Sequence, residues 1–266
     1  MKIARFWSQI LLALSCLFGR SVRAAGTEDE EFKRWEKNWD EANAAREAYY
    51  RAHIGPLPGD ILKMADMFGV WVGGGLYVIH ATKLDPPCWI HTTFGLSNFG
   101  EPTGVTVDKF HVETDGKRVL SSTHSAKKKE AAPQQKEGAA GYGYELIVAT
   151  RDQAEWPLAV VQWVVRAEIL VDTGILGRVE KYGGYTVEKI GIDGNESVNI
   201  LISKAEPPFP TGTDLPNGKM ELLIATVITE EEMQWCFKHG RKALLEQLQK
   251  AGVGQFSDLK RESVVK

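Results

Sequence analysis

Gly141-Tyr142-Gly143-Tyr144-Glu145-Leu146-Ile147-Val148-Ala149-Thr150, followed by Trp156-Pro157-Leu158-Ala159, is the stretch on which the fold turns. Tyr142, Tyr144, Leu146 and Val148 alternate with Gly143, Glu145, Ile147 and Ala149, the period-two pattern of a half-buried strand. Pro157 suits the first turn of a helix, where a missing N–H costs nothing. From Leu158 to Val171 the chain is apolar nearly all round and rich in valine. Buried helices and buried strands share that pattern, so periodicity leaves both open. Glu145 lies on the strand face opposite the two tyrosines. It is either a surface carboxylate or one held by nearby donors to lock a loop.

Working upstream, Trp89 to Phe94 reads as a second strand within Cys88-Trp89-Ile90-His91-Thr92-Thr93-Phe94-Gly95-Leu96-Ser97-Asn98-Phe99. Val70 to Ile79 is a buried strand interrupted by Gly73-Gly74-Gly75, a bulge or a close backbone approach. No Lys-Ser/Thr pair follows the glycines, which removes the phosphate-loop reading. Val105 to Val119 fits a hairpin turning at Asp115-Gly116. Ser121 to Ala140, rich in Lys, Gln, Ala and Glu and holding Lys127-Lys128-Lys129, reads as a solvated flexible loop.

Downstream, Val198 to Ser203 and Met220 to Ile228 are apolar on both faces, as central strands are. Between them, Leu215-Pro216-Asn217-Gly218-Lys219-Met220-Glu221-Leu222 places an Asn-Gly turn before the second. Thr229 and Glu232 form a capping box opening a helix that carries Met233, Phe237, Leu244 and Leu248 and stops at Gly252. These elements make one mixed α+β domain over residues 60–252, a central mixed sheet flanked by helices. Residues 253–266 are polar and expected to be loose.

The beginning of the chain is separate. Lys2 and Arg5 precede a mostly apolar run from Phe6 to Phe18, and Val22-Arg23-Ala24 offers small residues at −3 and −1 for cleavage before Ala25. Residues 1–24 therefore read as a secretory signal peptide, which would place the protein in the periplasm or outside the cell. If the segment stays on, a cytoplasmic location follows. The apolar run is too short for a stable membrane span, which needs about 20 residues. The segment holds four basic residues and no acid, so its removal takes the net charge from −3 to −7. Within residues 25–59, Gly26 to Glu31 reads as a linker. Phe32, Trp35, Trp39, Ala42, Arg46 and Tyr49 then mark the apolar stripe of a helix ending near Gly55-Pro56.

An acidic chain does not call for nucleic acid as partner. No H-E-x-x-H, H-x-H or G-x-S-x-G signature occurs. Cys88 and His91 are three apart on a strand and point to opposite faces, which is not a thiolate–imidazole pair. No catalytic residue, cofactor or metal ligand emerges, although a dispersed polar site around His91 and Glu145, for a small ligand or a hydrolase-like reaction, stays open as the alternative. Cys88 and Cys236, the cysteines left after cleavage, either pair or sit as separate buried thiols. Trp89, Trp156 and Trp163 read as core packing.

Taken in order, the blocks Cys88–Phe99, Gly141–Leu146, Leu215–Leu222 and Ile228–Glu232 resemble the suppressor of fused domain. That family reads W-H-Y-x-[TS]-[YF]-G-L-S-x-L-Y, G-[FY]-G-[FY]-E-L-T, T-P-[NF]-G-x-V-x-F-L and [IV]-T-x-[ED]-E-L. The resemblance covers about residues 60 to 251 and favours a helix for Leu158–Val171. It is thinner between Ile61 and Asp85, where the family's Gly-Gly-Pro-x-Pro-Leu is absent, and His91 falls one place later than the family's histidine. The resemblance implies a non-catalytic domain whose partner is a protein or an extended peptide. In animals the founding member grips a transcription-factor peptide between this domain and a second one, by strand addition. This chain is expected to lack that second domain. Single-domain bacterial relatives are proposed as immunity proteins that neutralise a toxin.

Overall fold

The computed structural model describes residues 25–62, 65–66, 69–70, 75–98, 105–114, 119–128, 137–171, 173–194 and 196–266. Residues 1–37 and 38–266 are separate units, with the boundary inside the first helix. The expected signal peptide, Gly73-Gly74 and the Asp115-Gly116 turn lie outside the described residues.

Helix α1 runs from Ala25 to His53, so the stretch expected as a linker, Gly26–Glu31, is helical. In the first unit Phe32 stacks on Trp35. In the second, the face at Ala42, Arg46 and Tyr50 is fully buried, with Ile54 just beyond the helix end.

Two short strands, β1 (Ala65–Asp66) and β2 (Gly69–Val70), pair with each other. The main sheet holds β3 (Gly75–Ala81), β4 (Cys88–Phe94), β7 (Ala139–Thr150), β8 (Tyr185–Asp193), β9 (Glu196–Lys204), β10 (Gly212–Leu215) and β11 (Gly218–Ile228). Its order is β3-β4-β7-β11-β9-β8, with β10 beside the start of β11. Only β7 and β11 run parallel, so the sheet is mixed. The long crossover a parallel pair needs carries α2 (Pro157–Val171) and α3 (Ile175–Tyr182), and the valine-rich run is thus a helix.

Strand alternation sorts the core into layers. On one face Tyr144, Leu146 and Val148 meet Val160, Val161, Val164 and Val165 of α2, with Ile175 and Val179 of α3. On the other face Ile147, Ile90 and Ile224 meet Tyr50 and Ile54. Beside them, Leu201 and Ile228 meet Met233, Cys236, Leu244 and Leu248. Each large side chain taken out of water here contributes about 1.5–3 kcal/mol before entropy is counted. Trp156 and Trp163 pack half-buried at the margin of the first layer. Trp89 instead stacks on His80.

Several expectations differ from what the chain does. Ser121–Ala140 is not one loop: β5 (Val105–Thr114) pairs with β6 (Val119–Lys128), which contains Lys127 and Lys128. A backbone ladder does not require apolar side chains, so composition alone misplaced this strand. The C-terminal helix is two helices, α4 (Glu230–His239) and α5 (Arg241–Lys250), broken at Gly240 with φ 91°. Phe237, expected on the packed face, is exposed.

Residues 253–266 are tied down rather than loose. Phe256 is buried and bridges to Ala149, while the Ser257 Oγ accepts from Val227 N at 2.9 Å. Arg261 donates to both oxygens of Glu232, at 2.6 and 2.5 Å, and Val264 N adds a third donor at 2.9 Å. Burial works against the Glu232 charge, but Arg261 and the backbone donors of Val264 and Thr229 overrule it and hold the carboxyl below its ordinary range. Arg261→Ala is therefore expected to cost about 1–3 kcal/mol in urea unfolding, whereas a loose tail would show no change.

Candidate functional site

Three of the four sequence blocks, Cys88–Phe99, Gly141–Leu146 and Leu215–Leu222, converge where β4, β7 and β11 meet the helix α1 segment after Asn38. Glu145 is fully buried at this junction. Its Oε1 accepts from Gly95 N at 2.9 Å, Ser97 N at 3.0 Å and Ser97 Oγ at 2.7 Å. Its Oε2 accepts from Thr93 Oγ1 at 2.6 Å and Leu96 N at 3.3 Å. Arg46 Nη1 stands 3.4 Å from Oε1. A carboxylate offers about four lone-pair sites, so its acceptor capacity is filled from inside the protein.

Arg46 is held through both terminal nitrogens of its guanidinium. Nη1 donates to Ser97 Oγ at 3.0 Å, and Nη2 donates to Asn43 Oδ1 at 3.0 Å and Asn98 Oδ1 at 2.6 Å. Its guanidinium lies 4.3 Å from the centroid of the Phe94 ring. Nearby, Tyr50 Oη and Thr92 Oγ1 share a hydrogen bond of 2.9 Å. Burial, followed by the Glu145 charge, pushes the Tyr50 phenol well up and keeps it neutral.

The loop Gly95–Asn98 folds this way because β4 ends at Phe94 and Thr93 takes over part of the ladder. Its hydroxyl accepts from Leu146 N at 2.8 Å while donating to Glu145. Tyr142 N donates to Leu96 O at 2.8 Å, and Asn217 Nδ2 donates to Ser97 O at 3.0 Å. The Pro216-Asn217 turn that joins β10 to β11 thus braces the loop that braces Glu145. Gly218 follows with φ 132°, pressed against Gly138 and Ala139.

A second buried carboxylate works the same way on the opposite face. Glu168 accepts from Tyr144 Oη at 2.8 Å and from Gly174 N and Ile175 N, both at 2.9 Å. It thereby satisfies the orphan N–H groups at the start of α3, which has no cap of its own.

Of the residues weighed for chemistry, His91 and Glu145 are not brought together. His91 is paired with Val148 across the ladder, so its side chain lies on the α2 face, while Glu145 lies on the α1 face. His91 Nε2 donates to Ala154 O at 2.7 Å. Burial lowers the imidazole below its ordinary 6.5, against the opposing pull of the Ala154 carbonyl. The folded state thus resists protonation, while the unfolded chain takes a proton near 6.5. Urea midpoints should fall as pH drops below 6.5, until the folded imidazole also protonates. His91→Gln, measured from pH 7 to pH 5, should flatten that stretch of the profile.

Cys88 and Cys236 are both buried and unbonded, and burial pushes the Cys88 thiol up to about 11. Among the described residues no group of three or more His, Cys, Asp or Glu side chains is arranged to hold a metal ion. No helix among them is long and apolar enough to cross a membrane. Sequence reasoning reached Glu145 as a loop lock but missed Arg46 as its counter-ion. The signal was present, since Arg46 occupies an apolar stripe where a charge needs a buried partner.

The family described as Suppressor of fused protein (SUFU) matches residues 74–262. A chain in the Sufu–Fu complex crystal structure superposes with TM-score 0.51 at 14% identity, covering 85% of this chain and 92% of that one. A SUFU homolog from Neisseria gonorrhoeae gives TM-score 0.50 at 14% identity, covering 86% and 98%. No curated protein matches the sequence. With residues 74–262, most of its length, matched by the family model, the chain belongs to the suppressor of fused family.

Proposed function

We propose that this chain is a non-catalytic domain that occupies a protein partner and so holds or neutralises it, as an immunity protein does a toxin. The observation that carries this reading is the sheet edge at β8. Among the described residues no strand pairs with its outer side, and an open edge is a template for an added strand from another protein. The saturation of Glu145 supports the non-catalytic part, because a carboxylate with no free acceptor and no exposure has nothing to offer a substrate. The similar fold in the Sufu–Fu complex supports protein as the partner class.

Affinity capture from the native lysate and culture medium tests this. The chain from Ala25 onward is the bait, and mass spectrometry the readout. One protein at stoichiometric yield is the expected result; repeated absence of any such protein overturns the reading. We further propose export after cleavage before Ala25. The intact mass of the native protein should then lack residues 1–24, and a mass that retains them refutes export by this route.

A further inference from the structure

The two parallel strands at the centre of the sheet separate before they end. Among the described residues β7 and β11 pair with each other only as far as Ile147 and Ile224. Past that point β7 continues to Thr150 on the β4 ladder, and β11 continues to Ile228 on the β9 ladder. A gap therefore opens inside the sheet, lined by backbone groups that need partners.

Residues 255–257 fill the gap. Phe256 bridges Ala149, and Ser257 N donates to Ala149 O at 2.8 Å. On the β11 side, the Ser257 hydroxyl accepts from Val227 N at 2.9 Å and donates to Ala225 O at 3.3 Å. The Gln255 side chain reaches one strand further. Its Nε2 donates to Ser203 Oγ at 2.7 Å and Lys204 O at 2.8 Å, and its Oε1 accepts from Glu206 N at 2.8 Å. The serine hydroxyl thus stands in for missing rungs between β7 and β11. A second anchor follows the exposed Asp258, Leu259 and Lys260. Arg261 reaches Glu232 and donates to Val227 O at 2.9 Å, and Val264 N donates to Glu232.

What holds this segment is mostly polar. Phe256 is its one large buried apolar side chain, with Val264 and Val265 partly covered. The strands beside it bury Ile147, Val148, Leu223 and Ile224 completely. Hydrogen bonds exchanged for water contribute little net, and a segment with few buried apolar contacts opens at lower cost than the core. Gly252 at φ 73° and Gly254 at φ 59° turn the chain from α5 into the gap. Glycine takes either sign of φ with little steric penalty, so the turn can be unmade.

We infer that residues 255–265 are a releasable strap. They open as one unit while the strands on either side stay folded, and opening bares the gap between β7 and β11. The strap is a conformational device that sets whether the centre of the sheet is closed or split.

Amide hydrogen exchange of the full chain tests this, followed residue by residue by NMR at rising urea below the unfolding midpoint. The amides of Val227, Ser257 and Val264 should share one opening free energy and one shallow urea dependence, both below those of amides along the β9–β11 ladder. Arg261→Ala should speed exchange of the Ser257 amide, which bonds to Ala149 and not to Arg261, about tenfold. Lys260→Ala, at the exposed neighbouring position, should leave it unchanged. Exchange of all three amides with the urea dependence of the ladder would mean that the gap opens only on global unfolding, and overturns the proposal. An Arg261→Ala effect confined to Val264 also overturns it, because that marks a fraying end and not a unit.

Discussion

Glu145→Ala should lower the unfolding free energy by about 3–5 kcal/mol, the cost of stranding a buried charge. The substitution removes the acceptor for Gly95, Leu96 and Ser97 N–H and leaves Arg46 buried without its carboxylate. A domain has about 5–15 kcal/mol of stability in all, so much of the margin would go. Urea unfolding followed by tryptophan fluorescence measures it. Glu145→Gln keeps the volume but turns an amide donor toward a ring of donors, and should fall between the two. In the Glu145→Ala background, Arg46→Leu should cost less than it does alone, because the stranded charge is then removed. Equal costs in both backgrounds would mean that the two residues act independently.

Gly218→Ala is the second large effect. At φ 132° an L side chain is strained, and a Cβ would stand 2.7 Å from both Ala139 C and Gly138 O. Those are backbone atoms that cannot swing away. Lys219 N also donates to Gly138 O at 2.9 Å, so relief by shifting β11 would break the first rung of its pairing with β7. A loss of about 3 kcal/mol or more is expected, again in urea unfolding. A loss under about 1 kcal/mol would show that the turn relaxes freely.

Where the chain's pattern is repeated by its packing, the sequence was a sufficient guide. The alternation of Tyr144, Glu145, Leu146 and Ile147 does sort side chains to two faces, and Thr229 with Glu232 does form a capping box. Val160 to Val165 needed the family resemblance, because a run this apolar shows little polar face to reveal its period, even though Gln162 and Trp163 are only half-buried and Arg166 is exposed. β6 was misread because polar strands look like loops when only composition is weighed.

The site was half legible. Glu145 stood out as a charge in a strand of apolar residues, but its donors come from α1, the loop after β4 and β4 itself, up to 99 residues away. Long-range partners of this kind leave no local pattern. Arg261 and Glu232 show the same thing 29 residues apart, and for that reason the tail read as loose. The β8 edge was invisible for another reason: a strand's place in a sheet is a property of topology, not of its own residues.

Whether the domain acts by occupying a partner is tested most directly by native mass spectrometry of the complex eluted from the captured chain. Occupancy predicts one discrete complex of fixed stoichiometry, whose partner has the same intact mass as the unbound partner. A partner recovered cleaved or modified only after exposure to the chain, or no complex above the mass of the chain itself, would contradict it.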